Sequence, residues 1–336
     1  MSLRSEKLNR IVYPDSGGSG NTMNKQKLDN YNLTGSIHTL SIKSPGMVED
    51  IQEDVSKCIS ANSQSKNGLT TTSVINPNKL LGDVFSYQEF QTVFNTILAG
   101  AGISDYNLIR ADMRFDNYEP DHYKQYAKLN RYLISMLAVT YKVKNTYKTE
   151  NLFNHKQLSV AIKNDYFEIE NYDRAAKSEL TENHSEPAQA RLEERTVSRS
   201  FRKLYEKCKA DGEDINMEIL KSEFTDGWFA RWDKAIQNID KVHQRYNDEL
   251  EKIYKEDKNS YPTRFRSLTD FIIQYQDCIF CKKQMIDLLA RFEEVKDPKN
   301  RAENHKKRYG IEYFSKKDVE RAVAEVKRAT EDFFRE

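Results

Sequence analysis

From Leu108 to Asp116, apolar residues alternate with charged ones. Alternation with a period of two places successive side chains on opposite faces of a β-strand. The segment therefore predicts a strand with one apolar face and one ionic face. Its apolar residues are Ile109, Ala111, Met113 and Phe115, and its charged residues are Arg110, Asp112, Arg114 and Asp116.

Two further alternating segments, residues 158–162 and 166–172, flank a polar turn at residues 163–165. Two strands separated by a short polar turn predict a β-hairpin. In the second strand, Tyr172 shares a face with Glu170 because the two residues are two positions apart. Shorter alternating patterns predict strands at residues 36–43, 71–76 and 191–197.

Helical spacing of apolar residues occurs twice among these strands. Ser86 and Glu89 form a capping-box pattern ahead of an apolar stripe that runs from Phe90 to Leu98. A second helix is predicted after Pro120. Strands and helices in this order predict an α+β fold, in which helices cover one face of an antiparallel sheet and the opposite face stays polar and free.

Beyond residue 205, long charged segments with helical spacing replace the strands and predict a helical second domain. The predicted helices cover approximately residues 217–220, 228–255, 265–294 and 316–334. The predicted organisation is a disordered polar tail over residues 1–30, an α+β domain over residues 31–205 and a helical domain over residues 206–336.

The composition narrows the class of protein. Of 336 residues, 38% are hydrophobic and 31% are charged, and 53 Lys and Arg against 52 Asp and Glu give a net charge of +1. A nucleic-acid-binding surface would therefore have to be local, because the chain as a whole is not basic. The 19 Tyr and 16 Phe residues indicate a folded protein, since disordered chains are poor in aromatic residues.

No apolar run approaches the ~20 residues that span a bilayer, and the first residues lack the apolar stretch of a secretory signal. The 4 Cys residues favour a reducing cytoplasm over a disulfide framework. Cys278 and Cys281 form a CxxC within an apolar helical pattern, with no second pair and no neighbouring His in the sequence. They are predicted to be buried core residues rather than zinc ligands.

Several catalytic motifs are absent from the sequence. There is no GxxxxGKS or GxxxxGKT, no GxGxxG and no GxSxG, so nucleotide hydrolysis, dinucleotide binding and serine-esterase chemistry lack their characteristic loops. The 6 His residues occur singly, without HxH or HExxH. This pattern argues against a metal site built from histidines.

Acidic residues and one tyrosine gather on the polar side of the predicted sheet. Asp112 and Asp116 lie on one strand, Glu193 on another and Tyr172 near the end of a third. Carboxylates on adjacent strands are suitable oxygen ligands for Mg²⁺ or Mn²⁺. From spacing alone, a simpler interpretation is a solvated strand face with cross-strand ion pairs. The cations suited to bind phosphates of DNA near this face are Arg110, Arg114, Arg174 and Arg191.

Four short segments occur in the same order as in a known family of DNA-processing proteins. Residues 110–116 (RADMRFD) are similar to that family's RxDxxFD strand, residues 75–80 (INPNKL) to its FNPNKL segment, residues 169–174 (IENYDR) to its tyrosine segment and residues 191–193 (RLE) to its RVE strand. Over residues 35–200, the chain thus resembles the rolling-circle plasmid replication initiators of the Rep_trans type and the related relaxases of integrative conjugative elements.

The resemblance implies an HUH-like or RRM-like nicking domain without the His-x-His motif, acting as a DNA nickase and strand-transferase at an origin. Carried over position by position, Tyr172 is the nucleophile that forms a 5′-phosphotyrosyl link and leaves a 3′-hydroxyl primer. Asp112 and Glu193, with Asp116 as a further candidate, are the ligands of Mg²⁺ or Mn²⁺. A metal ion near the scissile phosphate would offset its charge and assist a phenol that is a poor nucleophile at neutral pH.

The resemblance also implies partners. These are single-stranded and duplex origin DNA, with a host helicase as a further partner, a homodimer as the assembly and no membrane. The alternative is a non-catalytic, sequence-specific DNA-binding protein of a plasmid, phage or conjugative element.

The chain departs from the family pattern in two places. Glu170 stands two positions before Tyr172, where a basic residue is expected, and the second acidic residue after Glu193 is shifted, so that Glu194 precedes Arg195. A carboxylate beside a phosphodiester would repel the substrate and keep the phenol protonated. Three interpretations stay open: Glu170 is an additional metal ligand, the protein binds DNA without cutting it, or the nucleophile is a different tyrosine on the same face, Tyr166.

The C-terminal half matches no family segment, and its candidate function rests on charge. A short basic stretch is predicted to bind the phosphates of duplex DNA. It contains Lys306, Lys307 and Arg308, preceded by Lys299 and Arg301. A solvated helix face would show the same residues. Separately, the spacing of the two tryptophans predicts core residues, at Trp228 and Trp232.

Overall fold

A computed structural model describes residues 31–48, 51–81, 86–117, 122–143, 160–173, 190–207, 215–260 and 262–335. The predicted tail over residues 1–30 and the candidate Arg174 lie outside these ranges. The protein is an α+β protein, which confirms the coarse fold class.

Seven strands of the described chain form one antiparallel sheet in the order β2-β3-β1-β4-β7-β6-β5. Their bounds are Thr34–Pro45 (β1), Ile59–Gln64 (β2), Thr70–Ile75 (β3), Asn107–Asn117 (β4), Val160–Lys163 (β5), Phe167–Asp173 (β6) and Ala190–Val197 (β7). The predicted strands and the β5–β6 hairpin are confirmed, and β2 is an additional strand.

The alternation in β4 has one irregularity. Arg110 pairs with Ser41, whereas Leu108 pairs with the next residue of β1, Ile42, so a β-bulge lies between the two pairs. Leu108 is consequently buried, and Ile109 is only half-buried. The prediction that Ile109 begins the apolar face was therefore wrong by one residue.

The helices before and just after the last strand are Glu53–Ser56 (α1), Asn78–Leu81 (α2), Tyr87–Gly100 (α3), Tyr123–Thr140 (α4) and Ser198–Lys207 (α5). Ser86 caps α3, since its side chain accepts a hydrogen bond from the backbone N–H of Glu89. Helix α4 packs against β5, β6 and β7 and covers the apolar face of that half of the sheet.

The later helices are Ile215–Ser222 (α6), Trp228–Ile236 (α7), Ile239–Lys258 (α8), Leu268–Gln274 (α9), Lys282–Leu289 (α10), Pro298–Tyr309 (α11) and Lys316–Phe334 (α12). A π-helical turn, Glu223–Gly227, joins α6 to α7. The two long helices predicted at 228–255 and 265–294 are each divided, because Asn238 leaves helical geometry and Cys281 is extended. Helix α11, which contains the basic stretch around Lys306, is an additional helix that the sequence did not predict.

The C-terminal helices share a hydrophobic core with the sheet. Trp228 and Trp232 are fully buried, as predicted, and belong to the same apolar cluster as the sheet residues. Helix α12 lies against β1, where Glu325 accepts a hydrogen bond of 2.8 Å from the backbone N–H of Leu33 and Arg328 donates one of 3.0 Å to its carbonyl. In the described chain, no helix has the length and apolar character needed to cross a membrane.

Candidate functional site

The predicted site residues lie on one face of three adjacent strands, which we call the ionic face. Its register pairs Asp112 of β4 with Arg195 of β7, and Tyr172 of β6 with Arg191 of β7. Residues two positions apart on a strand share a face, so the register brings the predicted nucleophile and all three predicted carboxylates to the same side. The members of the ionic face are Arg110, Asp112, Arg114, Asp116, Glu168, Glu170, Tyr172, Arg191, Glu193 and Arg195.

The ionic face is not the free, solvated surface that the sequence predicted. Asp112 and Asp116 are each 1% exposed, and Glu193 is 3% exposed. Carboxylates are rarely buried unless they are paired, since removing a charge from water costs several kcal/mol. The prediction of an open polar face was wrong: these carboxylates are buried, and the arginines beside them neutralise their charge.

Asp116 is held by arginine on both oxygens. Nε and Nη2 of Arg191 donate hydrogen bonds of 2.6 and 2.7 Å to Oδ1 and Oδ2 of Asp116, in the two-pronged geometry that makes Arg–carboxylate pairs strong. Arg114 contributes a second cation, with Nε 3.6 Å from Oδ2. Both arginines are themselves buried, so in this conformation neither is exposed to a DNA phosphate.

Arg195 lies among three carboxylates. Its guanidinium group donates to Oδ1 of Asp112 at 3.0 Å and to Oε1 of Glu193 at 2.9 Å, and it is 2.9 Å from Oε1 of Glu168. Arg110 also binds both oxygens of Asp112. Burial raises the pKa of Asp112, although Arg110 and Arg195 act in the opposite direction. Arg195 therefore supplies the positive charge that the clustered carboxylates require.

Tyr172 is only 5% exposed, and its hydroxyl faces the carboxylates. Its Oη donates a hydrogen bond of 2.9 Å to Oε2 of Glu193, and Nη1 of Arg191 lies 3.4 Å from the same Oη. Burial and the charge of Glu193 raise the pKa of Tyr172. Burial acts to raise the pKa of Glu193 as well, but His38, Arg195 and Tyr172 outweigh it and hold that pKa well below its ordinary value. The site thus pairs a neutral phenol with an ionised carboxylate.

Tyr166, the other candidate nucleophile, has different surroundings. It is partly exposed, and Nζ of Lys203 donates a hydrogen bond of 3.1 Å to its Oη. This hydrogen bond lowers the pKa of Tyr166, and the guanidinium of Arg199 lies over its ring. Its ring and hydroxyl thus contact two cations of α5, Arg199 and Lys203.

Two of the family-like segments contact each other. Asn78, from the INPNKL segment, donates a hydrogen bond of 3.0 Å to the carbonyl of Ile37 and lies 3.4 Å from Nη2 of Arg114. This contact sets the start of α2 beside the ionic face. The glutamate that departs from the family pattern, Glu170, is half-buried and lies directly opposite Glu193 in the register.

The carboxylates in this arrangement do not fit a divalent ion, because arginines hold their oxygens. In the described ranges, no group of three His, Cys, Asp or Glu side chains is arranged to hold a metal. Metal binding by Asp112 and Glu193 would require Arg195 to leave them. The Mg²⁺ or Mn²⁺ implied by the resemblance stays a prediction.

The basic residues of the C-terminal half are accessible. Lys306, Lys307 and Arg308 are exposed in the last turn of α11, and Gly310 ends this helix in a left-handed conformation with φ of 65°. Cations in the last turn also interact favourably with the helix dipole. Among the predicted DNA-binding residues, these three are available to a phosphate backbone, whereas Arg110 is only partly exposed and pairs with Asp112.

The sequence interpretation missed a thiol–imidazole contact. Cys281 caps α10, with Sγ accepting from the backbone N–H of Gln284, and Nε2 of His243 lies 3.5 Å from the same Sγ. Tyr132 in turn hydrogen-bonds to His243. Cys278 is buried, as predicted, but Cys281 is only partly so. His243 is 38 residues away in the sequence, so the one-dimensional pattern held no signal for this contact.

A second missed group lies on the opposite, apolar face of β7. Glu194 is buried there, and its Oε1 accepts a hydrogen bond of 2.6 Å from Nε1 of Trp232. Burial raises the pKa of Glu194 to about 8, although the Trp232 hydrogen bond opposes the shift. Glu194, the acidic residue that is shifted relative to the family pattern, is therefore a core residue.

The ionic face holds three kinds of reactive or binding group. These are the hydroxyl of Tyr172, the carboxylate of Glu193 beside it, and guanidinium groups that are suited to bind a phosphate. The thiol–imidazole pair and the buried glutamate lie elsewhere and contribute nothing to this face. Comparison of the chain with protein-family models, curated proteins and solved structures found no match.

Proposed function

We propose that this protein nicks and rejoins one strand of DNA, with Tyr172 as the nucleophile, and that it initiates rolling-circle replication or transfer of a mobile element. The hydrogen bond between Tyr172 and Glu193 carries the proposal. It places a carboxylate within reach of the hydroxyl proton, and that carboxylate becomes a stronger base when Arg195, which lowers its pKa, leaves it. The order of the four family-like segments supports the same function.

In the proposed reaction, Oη of Tyr172 attacks a backbone phosphorus and its proton passes to the carboxylate of Glu193. A phosphorus–oxygen bond to tyrosine forms as the bond to the 3′-oxygen breaks. The 3′-oxygen takes a proton from water and becomes a primer hydroxyl. The phosphotyrosyl bond keeps the energy of the broken ester, so a later attack by a 3′-hydroxyl reseals the strand without ATP.

Arg191 and Arg195 have supporting roles in this proposal. Arg191 already lies within 3.4 Å of the Tyr172 hydroxyl, where its charge would stabilise the developing phenolate. Arg195 would exchange its carboxylate partners for the phosphate, because both present a pair of anionic acceptor oxygens that one guanidinium group can bind. Since Tyr172 is 5% exposed, the substrate enters only after the ionic face opens. A bound Mg²⁺ or Mn²⁺ would add neutralising charge once Arg195 has moved.

The proposed substrate is origin DNA, single-stranded at the ionic face and duplex at the end of α11. The exposed Lys306, Lys307 and Arg308 support the duplex contact, which would weaken steeply with salt. A host helicase and a homodimer remain predictions of the resemblance.

The experiment is a transfer assay with a random pool of single-stranded DNA labelled at the 3′ end, with Mg²⁺ or Mn²⁺ added. A 5′-phosphotyrosyl link would move the label onto the protein, where it survives denaturation. Tyr172→Phe should abolish the labelled protein, while the matched Tyr166→Phe should retain it. Labelling that persists in Tyr172→Phe and disappears in Tyr166→Phe would transfer the nucleophile role to Tyr166.

A second function is favoured by the burial of Tyr172 and by the arginines that occupy its neighbouring carboxylates. In this alternative, the protein recognises DNA without cutting it. Repeated selection of the same pool for bound molecules distinguishes the two functions. Enrichment of one sequence, with no labelled protein in either metal, would establish the binding function and refute cleavage.

A further inference from the structure

A polar cleft of about 360 Å³ lies between α9 and α11 in the helical half, away from the ionic face. Its volume falls within the range of ~300–1,000 Å³ typical of small-molecule sites. The residues that line it are Thr269, Val295, Lys296, Asp297, Asn300, Arg301, Asn304, His305, Arg308 and Tyr309.

The cleft carries an excess of positive charge. Lys296, Arg301 and Arg308 line it, against a single carboxylate from Asp297. That carboxylate is engaged locally, since its Oδ1 accepts the backbone N–H of Asn300 at 3.0 Å and caps α11. A ligand that enters the cleft therefore meets cations, and an anionic group is the complementary chemistry.

His305, which lines the cleft, has a buried ring nitrogen without a partner in the described chain. His305 is 4% exposed, and its Nδ1 has no hydrogen-bond partner in the described chain. Its Nε2 lies 3.5 Å from Oγ1 of Thr269, and Nη2 of Arg301 donates to the same oxygen at 3.3 Å. Thr269 thus orients both side chains. Buried polar atoms are rarely left unpaired, so a bound group would give Nδ1 a partner if the His305 ring turned toward it.

Two further features of the cleft suit the binding of a nucleobase rather than of a phosphate alone. The side-chain amides of Asn300 and Asn304 line the cleft one helical turn apart, and they offer both donors and acceptors. Tyr309 is 39% exposed beside them, with its ring edge-on to His305 at a centroid distance of 5.6 Å. Aromatic faces and amide groups are the usual means by which proteins hold an unstacked base.

We infer that this cleft binds one nucleotide unit, with its phosphate at Arg301 and Arg308 and its base against Tyr309, the asparagine amides and His305. The unit is either a free nucleoside monophosphate or an unpaired nucleotide within a DNA strand. Burial lowers the pKa of His305, so the imidazole is neutral and can accept or donate to a base edge. This binding does not require the nicking reaction and stands independently of it.

The test is calorimetric titration of the full chain with deoxythymidine monophosphate, inorganic phosphate and a short oligodeoxythymidine. We expect the nucleotide to bind about tenfold more tightly than phosphate, since the base adds hydrogen bonds and stacking. Tighter binding of the oligonucleotide than of the monophosphate identifies DNA as the source, and the reverse identifies a free nucleotide. Nucleotide and phosphate binding with equal affinity would overturn the inference.

Matched variants separate the cleft from general surface charge. Arg308→Gln removes a cation that lines the cleft, whereas Lys307→Gln removes one from the neighbouring exposed position outside it. We expect the first to weaken nucleotide binding by about tenfold and the second by less than about twofold. Equal losses would show a diffuse basic surface and refute the site.

Asn304→Leu keeps every charge, so it should lower affinity for the nucleotide without changing affinity for phosphate. Tyr172→Phe should bind the nucleotide as the unsubstituted chain does. If the unsubstituted chain binds the nucleotide but forms no labelled protein in the transfer assay, the nicking proposal alone is refuted.

Discussion

Tyr172 donates a hydrogen bond of 2.9 Å to Oε2 of Glu193 within a sheet face where both side chains are buried. The two residues come from adjacent antiparallel strands, and Arg191, directly opposite Tyr172 in the register, binds the same hydroxyl. A buried hydroxyl that is hydrogen-bonded on both sides contributes to stability whether or not it reacts. Stability and catalysis at this position are therefore separately measurable.

Tyr172→Phe is expected to lower the free energy of unfolding by about 1–2 kcal/mol, because Glu193 and Arg191 each lose a hydrogen-bond partner in a buried site. Urea titration followed by circular dichroism measures the change. Tyr166→Phe is the matched control, with an expected change below about 0.5 kcal/mol, since its hydroxyl contacts an exposed lysine. Equal effects of the two substitutions would contradict the structural role of Tyr172.

Arg195→Gln should destabilise the protein by about 3 kcal/mol, because Asp112, Glu168 and Glu193 lose the cation that they share. Mn²⁺ should restore part of the lost melting temperature in this variant and change the unsubstituted chain by less, since the released carboxylates then offer oxygen ligands. Thermal melts with and without the ion provide the measurement.

Arg199→Gln is the control for this experiment, since Arg199 forms an exposed pair with Asp165. Removal of an exposed pair should change stability by less than about 1 kcal/mol. If Mn²⁺ fails to raise the melting temperature of Arg195→Gln, the released carboxylates do not form a metal site, and the metal-ligand roles of Asp112 and Glu193 fail with it.

Glu194→Gln should stabilise the protein at alkaline pH and have little effect near pH 4.5. The folded pKa of about 8 lies above the ordinary value of 4.5, so the folded state binds the proton more tightly. Stability from this group is fully present below pH 4.5 and is lost as the pH rises to about 8. The glutamine side chain has an oxygen that can accept the hydrogen bond from Trp232, and it carries no charge. The variant therefore does not lose stability as the pH rises.

Urea titrations at acidic, neutral and alkaline pH measure this difference. The gap between Glu194→Gln and the unsubstituted chain should widen with pH until about 8 and then stay constant. Glu218→Gln, at an exposed position of α6, is the matched control for the substitution itself. A constant gap for Glu194→Gln across the range would mean that folding does not shift the pKa of Glu194.

Strands with an apolar side were predictable because their pattern reports burial directly. The alternation around Met113 and Phe115 identified β4 to within a residue at each end. Strand β2 was missed because residues 60–64 (SANSQ) are mostly polar and carry no periodic apolar signal. Helix breaks at Asn238 and Cys281 were missed for a related reason, since the apolar spacing continues across both.

The sequence predicted which residues share this face of the sheet, but not whether the face is exposed or buried. Alternation placed Asp112, Glu193 and Tyr172 on one side of the sheet, and the register bears this out. Whether a charged face is open or buried depends on pairing between side chains that are distant in sequence, as Arg191 and Asp116 are. A single charge pattern is compatible with a solvated surface, a metal site and a neutralised ion-pair network, so three-dimensional geometry alone identified the last of these.

Gly35→Ala should disturb the junction between β1 and the C-terminal helix α12. A Cβ at Gly35 would lie 2.6 Å from the carbonyl oxygen of Ala329, and a backbone atom cannot move aside as a flexible side chain can. We expect a loss of about 2 kcal/mol in the free energy of unfolding, the usual size of overpacking in a core. Tryptophan fluorescence reports α7 and circular dichroism reports the whole chain, so coincident transitions would indicate that sheet and helices unfold together. Unchanged stability would show that α12 does not pack closely on β1, and that the helical half is held to the sheet by other contacts.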